Sequence, residues 1–246
     1  MKVLVCISHV PDTTTKIQFT PDKSGINLTG VTFIIDPYGE YGLSRAIGFQ
    51  EEGKEVHITA VCVGGQEVEP TLRKALAIGA TEAVRIDTAA KDSAFTAGQI
   101  AAYAKDKGFD IIFTGKESID FNGSLVPGMI AEMLGYAFVP SATKMDISGN
   151  GKAVLHREID GGSEVVEVSL PVVVSCQKGI AEWRIPNMRG ITSARTKPFH
   201  VVAPAEVPAF LETKGYDYPP AKAACQFFDA AQPEGLIAAL SQKGLI

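Results

Sequence analysis

The chain has little that would announce a bond-breaking chemistry. It carries one tryptophan and four cysteines in 246 residues. Cys6, Cys62, Cys176 and Cys225 form no C-x-x-C pair, and three of them sit in apolar, strand-like runs. They read as buried free thiols rather than as metal ligands or a disulfide framework. His9, His57, His156 and His200 are scattered, without the helical or turn spacing a metal needs. There is no excess of positive charge: 23 basic against 28 acidic residues give a net charge of -5, which argues against a general nucleic-acid binder. No apolar run approaches the roughly 20 residues that span a bilayer, so an integral membrane protein is not expected. The opening "MKVLVCISHVPD" is too short and too continuous for a secretory segment and reads as a first buried strand, with the cytoplasm as the expected location. G-x-S-x-G, H-E-x-x-H and the Walker lysine motif are all missing.

What is there is an alternation. "KVLVCIS", "EVHITAVCVG", "EAVRID" and "FDIIFTG" are apolar runs of strand length. Between and after them lie helical segments. "DPYGEYGLSRAIGFQEEG" has an Asp-Pro start and a glycine stop. "EVEPTLRKALAIGA" puts Val68, Leu72, Ala75 and Leu76 on one face. "DSAFTAGQIAAYAKDKG" and "GSLVPGMIAEMLG" complete the set. Strands apolar on both faces, separated by helices, predict an α/β fold with a mostly parallel sheet covered on both sides. Ligands of such sheets lie at the carboxyl ends of the strands. Here those ends are "SHVPD", "CVGGQ", "IDTAAKD" and "GKESIDFNGS".

The last of these is the most suggestive. A helix beginning near Gly123 offers free N–H groups, and Asn122, Gly123 and Ser124 are small enough for a phosphate to approach. Asp120 is placed to reach a ribose hydroxyl or to pin the turn. Plain N-capping by Asn122 or Ser124 is the competing reading. A second glycine rim follows Val63.

Beyond residue 140 the pattern changes. Turns at "SGNG" and "DGG" predict hairpins, an antiparallel extension of the sheet running through "SLPVVVSC". Arg184, Arg189, Arg195 and Lys197 then cluster with Trp183 and Met188, which suits either a solvated face or a docking surface. From Ala205 the chain is rich in Pro and Ala, with one candidate helix from Gln232 to Lys243 and too few patterned apolar residues for a core of its own. This divides the chain into an adenine-nucleotide-binding α/β domain, 1–204, and a C-terminal arm, 205–246.

Together these blocks resemble the beta subunit of electron transfer flavoprotein. The carriers are "KVLVCISHVPD", "IDPYGEYGLSRAI", "TLRKALAIGATEAVRI", "GKESIDFNGSLVPGMIAEMLG", "REIDGGSEVVEVSLPVVVS" and "PNMRGITSARTKP", in order along nearly the whole chain. The resemblance implies an adenine nucleotide alpha hydrolase-like fold. It also implies an alpha-subunit partner that holds the redox FAD, and AMP as a structural nucleotide in this subunit. In electron-bifurcating relatives a second FAD takes the place of AMP and accepts hydride from NADH. The implied activity is electron carriage, not turnover, from flavin-dependent dehydrogenases such as acyl-CoA dehydrogenases to a membrane quinone oxidoreductase. Carried over by motif, the nucleotide would be held by Cys6, by Asp36, Pro37, Tyr38 and Gly39, by Val63, and by Gly115 to Val126. That last segment includes Asp120, Phe121, Asn122, Gly123, Ser124 and Leu125. Tyr38 takes the aromatic position near the alpha-subunit flavin. Ile180, Glu182, Trp183 and Arg184 would form the dehydrogenase-recognition arm, with Ile180 as its anchor, and the tail would wrap the alpha subunit. The sequence departs from the family pattern at Asp36 (usually Asn), Phe121 (Gly), Asn122 (an acid) and Leu125 (Gln), so fewer side-chain donors would reach the ligand. A nucleotide sensor or hydrolase on the same fold is the alternative from another class.

Overall fold

The computed structural model describes every residue of the chain except Gly149, and the "SGNG" turn therefore lies partly outside the described residues. The chain forms two compact units. One comprises residues 1–17 and 28–214, the other residues 18–27 and 215–246.

The larger unit opens with β1 (Lys2–Cys6) and a small antiparallel pair, β2 (His9–Pro11) with β3 (Phe33–Ile35). Helix α1 (Pro37–Glu51) starts where Asp36 accepts hydrogen bonds from Tyr38 N and Gly39 N, with Pro37 at the first helical position. β4 (His57–Gly64) leads through a single 3-10 turn, Gln66–Val68, into α2 (Glu69–Ile78), which stops at Gly79. β5 (Glu82–Asp87), α3 (Ser93–Ala104), β6 (Ile111–Gly115) and α4 (Val126–Leu134) follow. α4 ends at Gly135, whose φ of 67° is the left-handed C-cap conformation that glycine takes without a Cβ penalty. The three long strands β7 (Ala137–Ser148), β8 (Lys152–Ile159) and β9 (Gly162–Ser169) precede β10 (Val172–Cys176), α5 (Met188–Ser193) and β11 (Phe199–Val202).

The main sheet has the order β11-β5-β4-β1-β6-β10-β7-β8-β9. From β11 to β7 every pairing is parallel; β8 and β9 add the antiparallel extension. One strand differs from the sequence-based expectation. β10, read above as part of the antiparallel extension, returns to the parallel core between β6 and β7. All five of its residues are buried, and a strand apolar on both faces can only be accommodated inside a covered sheet. β7 serves both regions. Its first residues pair with β10, and it turns at Ser141, held in the left-handed region (φ 50°), to pair with β8. The Ser175 hydroxyl accepts Ser141 N at that turn.

Alternation along the strands divides the core. Val3 and Val5 join Leu43, Phe49, Leu72, Leu76 and Phe113 beneath α1 and α2. Leu4 and Cys6 join Ala97, Ile100, Ile130 and Val173 beneath α3 and α4. Helices on both faces follow from that period of two. No described helix is long and apolar enough to cross a membrane.

In the smaller unit, Phe19 packs on Tyr216 and Tyr218 and Lys23 pairs with Asp217. α6 (Glu234–Gln242) lies within the segment predicted to be helical and buries none of its residues.

Candidate functional site

β1 is the hinge of the topology. The chain builds outward from it to β4 and β5, then crosses back to lay β6 on its other side. Two neighbouring strands leaving their carboxyl ends in opposite directions open a crevice, the usual ligand position of such sheets. A cavity of about 390 Å³ occupies it. Its floor is Cys6, which ends β1, with Ile7 after it, Val63 and Gly64 at the end of β4, and Thr114 and Gly115 at the end of β6. Val68 and Ile100 add apolar wall, and the first residues of α3 (Ser93, Thr96) and α4 (Val126, Pro127) converge on the rim.

The loop from Lys116 to Leu125 is built by its own turns. Phe121 N and Asn122 N both donate to Ser118 O, and Asn122 and Ser124 stand at φ of 50° and 52°. Of the two readings of this turn, side-chain capping is not what forms: α4 has Leu125 at its N-cap position and no side-chain cap hydrogen bond. The Ser124 hydroxyl bonds instead to Glu117 at 3.1 Å. The first-turn N–H groups of α4 are therefore left for another acceptor.

Asp36 ties the loop to the sheet. Its Oδ1 caps α1 and its Oδ2 accepts Ile119 N at 2.8 Å. The carboxyl is buried, and burial holds it above the usual carboxylate range despite the N–H donors that pull it down. Gly115 sits where β6 passes the start of α1: a Cβ there would meet Tyr38 Cβ and Glu117 O at 2.8 Å. The Lys116 ammonium lies over the Tyr38 ring and near Glu117.

Of the residues proposed from sequence to hold a ligand, Cys6, Val63, Gly115, Asp120, Phe121, Gly123, Ser124, Leu125 and Val126 line this cavity. Asp36, Pro37, Tyr38, Gly39 and Asn122 are not among its lining residues. The first four form the cap and the contact that position the lining loop. The Cys6, Cys62 and Cys176 thiols are buried, and burial raises all three, Cys62 to about 12, so they stay neutral. Cys6 and Cys62 contribute apolar wall rather than nucleophiles, and Cys176 belongs to the core.

Several lining residues were not read as ligand contacts in the sequence: His9, Glu67, Lys91, Thr96, and Asp92 and Ser93, which read there as candidates for the cap of α3. His9 and the Lys91–Asp92 pair lie in segments already read as strand ends, and that position was the available signal. What no spacing reveals is their convergence. Asp92 caps α3 through Phe95 N at 2.6 Å, and its second oxygen accepts Phe210 N and Leu211 N. Gln99 in α3 holds Ala205 by both its carbonyl and its amide. The first ten residues assigned above to the arm thus run along α3 within the larger unit.

The cavity suits a mononucleotide. Its size is at the small end of the range for buried small ligands. Apolar floor and wall suit a flat base, and the N-terminus of α4, which no side chain caps, suits a phosphate. The family model for the electron transfer flavoprotein domain matches residues 25–207. The electron transfer flavoprotein subunit beta of Syntrophomonas wolfei is 38% identical over 91% of this chain and 88% of its own. That of Bacillus subtilis is 36% identical over 80% of this chain and 77% of its own. The subunit beta of Mus musculus is 28% identical over 100% and 99%. This chain belongs to the beta subunits of the electron transfer flavoprotein family. An electron-transfer role and association with a flavin and an alpha subunit follow from that membership.

The basic loop of this beta subunit divides by function within the fold. Arg184 makes a bidentate pair with Glu51 at the end of α1, at 2.6 Å for each contact. Lys197 donates to Leu76 O and Ala80 O, closing the carboxyl end of α2. Burial lowers the Lys197 ammonium. Ile180 is 6% exposed and belongs to the core, whereas Trp183, Ile185 and Met188 are 60%, 75% and 78% exposed. Glu182 is exposed beside them.

Proposed function

We propose that this subunit carries an adenine mononucleotide, AMP, in the crevice between β1 and β6, and pairs with an alpha subunit that holds the redox FAD. The complex would then pass electrons from flavin-dependent dehydrogenases, acyl-CoA dehydrogenases being the type, to a membrane quinone oxidoreductase. The observation that carries the nucleotide assignment is the cavity of about 390 Å³ at the topological switch point, with α3 and α4 both starting on its rim. The base would lie against Cys6, Val63, Val68 and Ile100, and the phosphate on the N–H groups of the turn that starts α4. Bound FAD supplies the redox chemistry; this chain orients and encloses. The nucleotide acts here by binding the folded state and stabilising it by mass action.

Two features support a carrier rather than a bifurcating subunit. The cavity is small for a dinucleotide, and the loop residues Phe121 and Leu125, 67% and 52% exposed, bring no hydrogen-bond donors to a larger ligand. The exposed Trp183, Ile185 and Met188 form the surface we assign to dehydrogenase recognition, with Arg184–Glu51 holding the loop and Ile180 anchoring it inward. The test is an inventory: denature the purified alpha–beta complex and quantify the released nucleotides. One FAD and one AMP per heterodimer is the expected result. Two FADs would replace the carrier reading with bifurcation. A stable nucleotide-hydrolysing homodimer formed without an alpha subunit would replace both.

A further inference from the structure

Among the described residues, the cavity's lining carries four acids, Glu67, Asp92, Glu117 and Asp120, and only two groups able to bear positive charge, Lys91 and His9. A phosphate entering such a site needs a counter-charge. Lys91 is exposed and turned over the Phe95 ring. Glu117 and Asp92 are taken up by hydrogen bonds to Ser124 and to backbone N–H groups. His9 is held differently. Its ring stacks flat on Phe33, with centroids 4.2 Å apart and planes 5° from parallel, and its Nδ1 contacts Thr71 Oγ1 at 2.7 Å. Those two contacts fix the plane and leave Nε2 as the ring's one remaining polar atom.

We propose that His9 supplies the counter-charge for the nucleotide's phosphate, taking up one proton from solvent as the nucleotide enters. This rests on the nucleotide reading above. The charged groups that act on His9 are Glu67, from the 3-10 turn before α2, and Asp120, from the loop after β6; both favour the imidazolium. Burial opposes them and prevails, holding the ring below its ordinary value and neutral near pH 7. A dianionic phosphate in the same cavity shifts that balance toward the charged ring. The sign follows from linkage. The bound state holds a proton that the free state lacks, so affinity rises as pH falls and is lost as pH rises through the bound-state value.

The experiment measures calorimetric affinity for AMP and for adenosine between about pH 6 and pH 8, on the full chain with its alpha subunit, cleared of nucleotide. Wild type is compared with His9→Gln, whose side chain still hydrogen-bonds but does not titrate. The phosphate of AMP titrates near pH 6 itself, but equally in both proteins. Wild-type affinity for AMP is expected to fall more steeply with pH than that of H9Q, by up to about tenfold per pH unit for one linked proton. Adenosine should show no such difference. Equal slopes for AMP in the two proteins overturn the role of His9 and leave the nucleotide site standing. Wild type binding neither ligand at any pH overturns both.

Discussion

Replacing Asp36 tests how this site is held together. The side chain makes three hydrogen bonds from a buried position: Oδ1 caps α1 at Tyr38 N and Gly39 N, and Oδ2 holds Ile119 N of the cavity loop. Loss of an N-cap costs about 1 kcal/mol. Loss of a hydrogen bond to a charged group costs about 1.5–3 kcal/mol. Removing the carboxyl also relieves the cost of burying it, which raises its titration. A net loss of roughly 2–4 kcal/mol is expected for Asp36→Ala. At about 2–4 °C per kcal/mol for a chain of this size, the melting temperature should fall by roughly 4–16 °C. Asp36→Asn retains an oxygen for the cap but sets an amide against Ile119 N–H, so it should fall between wild type and D36A. The pH response adds a second signature. The folded carboxyl titrates above its unfolded value, so the native state holds the proton longer. Stability then declines as pH rises from the unfolded value through the folded one. D36N should lose that decline. The assay is thermal unfolding of the full chain across the acid range. A D36A protein melting within about 2 °C of wild type, or D36N and D36A melting together, would refute the account of Asp36 as cap and tether.

Three further outcomes follow from particular contacts. Asp92→Ala removes the α3 cap and the acceptor of Phe210 N and Leu211 N, so limited proteolysis should cut near those residues while global unfolding changes little. Unchanged cleavage would show that Asp92 does not hold that segment. A Cβ on Gly190 would lie 2.2 Å from Ala77 O, a backbone atom, so Gly190→Ala must move α5 away from α2; a loss of about 1–3 kcal/mol in denaturant unfolding is expected, and none would refute that close approach. Trp183→Ala should slow electron uptake from a donor dehydrogenase while nucleotide content and melting temperature stay as in wild type, and an unaltered uptake rate would remove this side chain from the docking surface.

Much of the architecture was legible along the chain because its cause is local. Asp36-Pro37 starts α1, Gly135 stops α4, and the doubly apolar runs of β1, β4 and β6 require a covered parallel sheet, all within windows of a few residues. The rim segments were legible for the same reason, since a strand's carboxyl end is a local fact. Other features depend on which distant segments meet. β10 reads like one more hairpin strand and is drawn to the sheet centre by burial on both faces. Asn122 and Ser124 have the composition of helix caps, yet the loop's own turns leave the start of α4 uncapped. Ile180 is apolar like its exposed neighbours Ile185 and Met188, and only packing decides which of them faces inward. His9 in sequence is a polar residue three places before Asp12. The fold makes it a ring fixed by Phe33 and Thr71, from two other elements, within the field of Glu67 and Asp120. Local pattern along the chain was enough for the strands, the helices, their order and the family. The crevice, its charge balance and the choice of outward-facing residues were decided by tertiary structure, because burial and electrostatic field are properties of neighbours in space rather than along the chain.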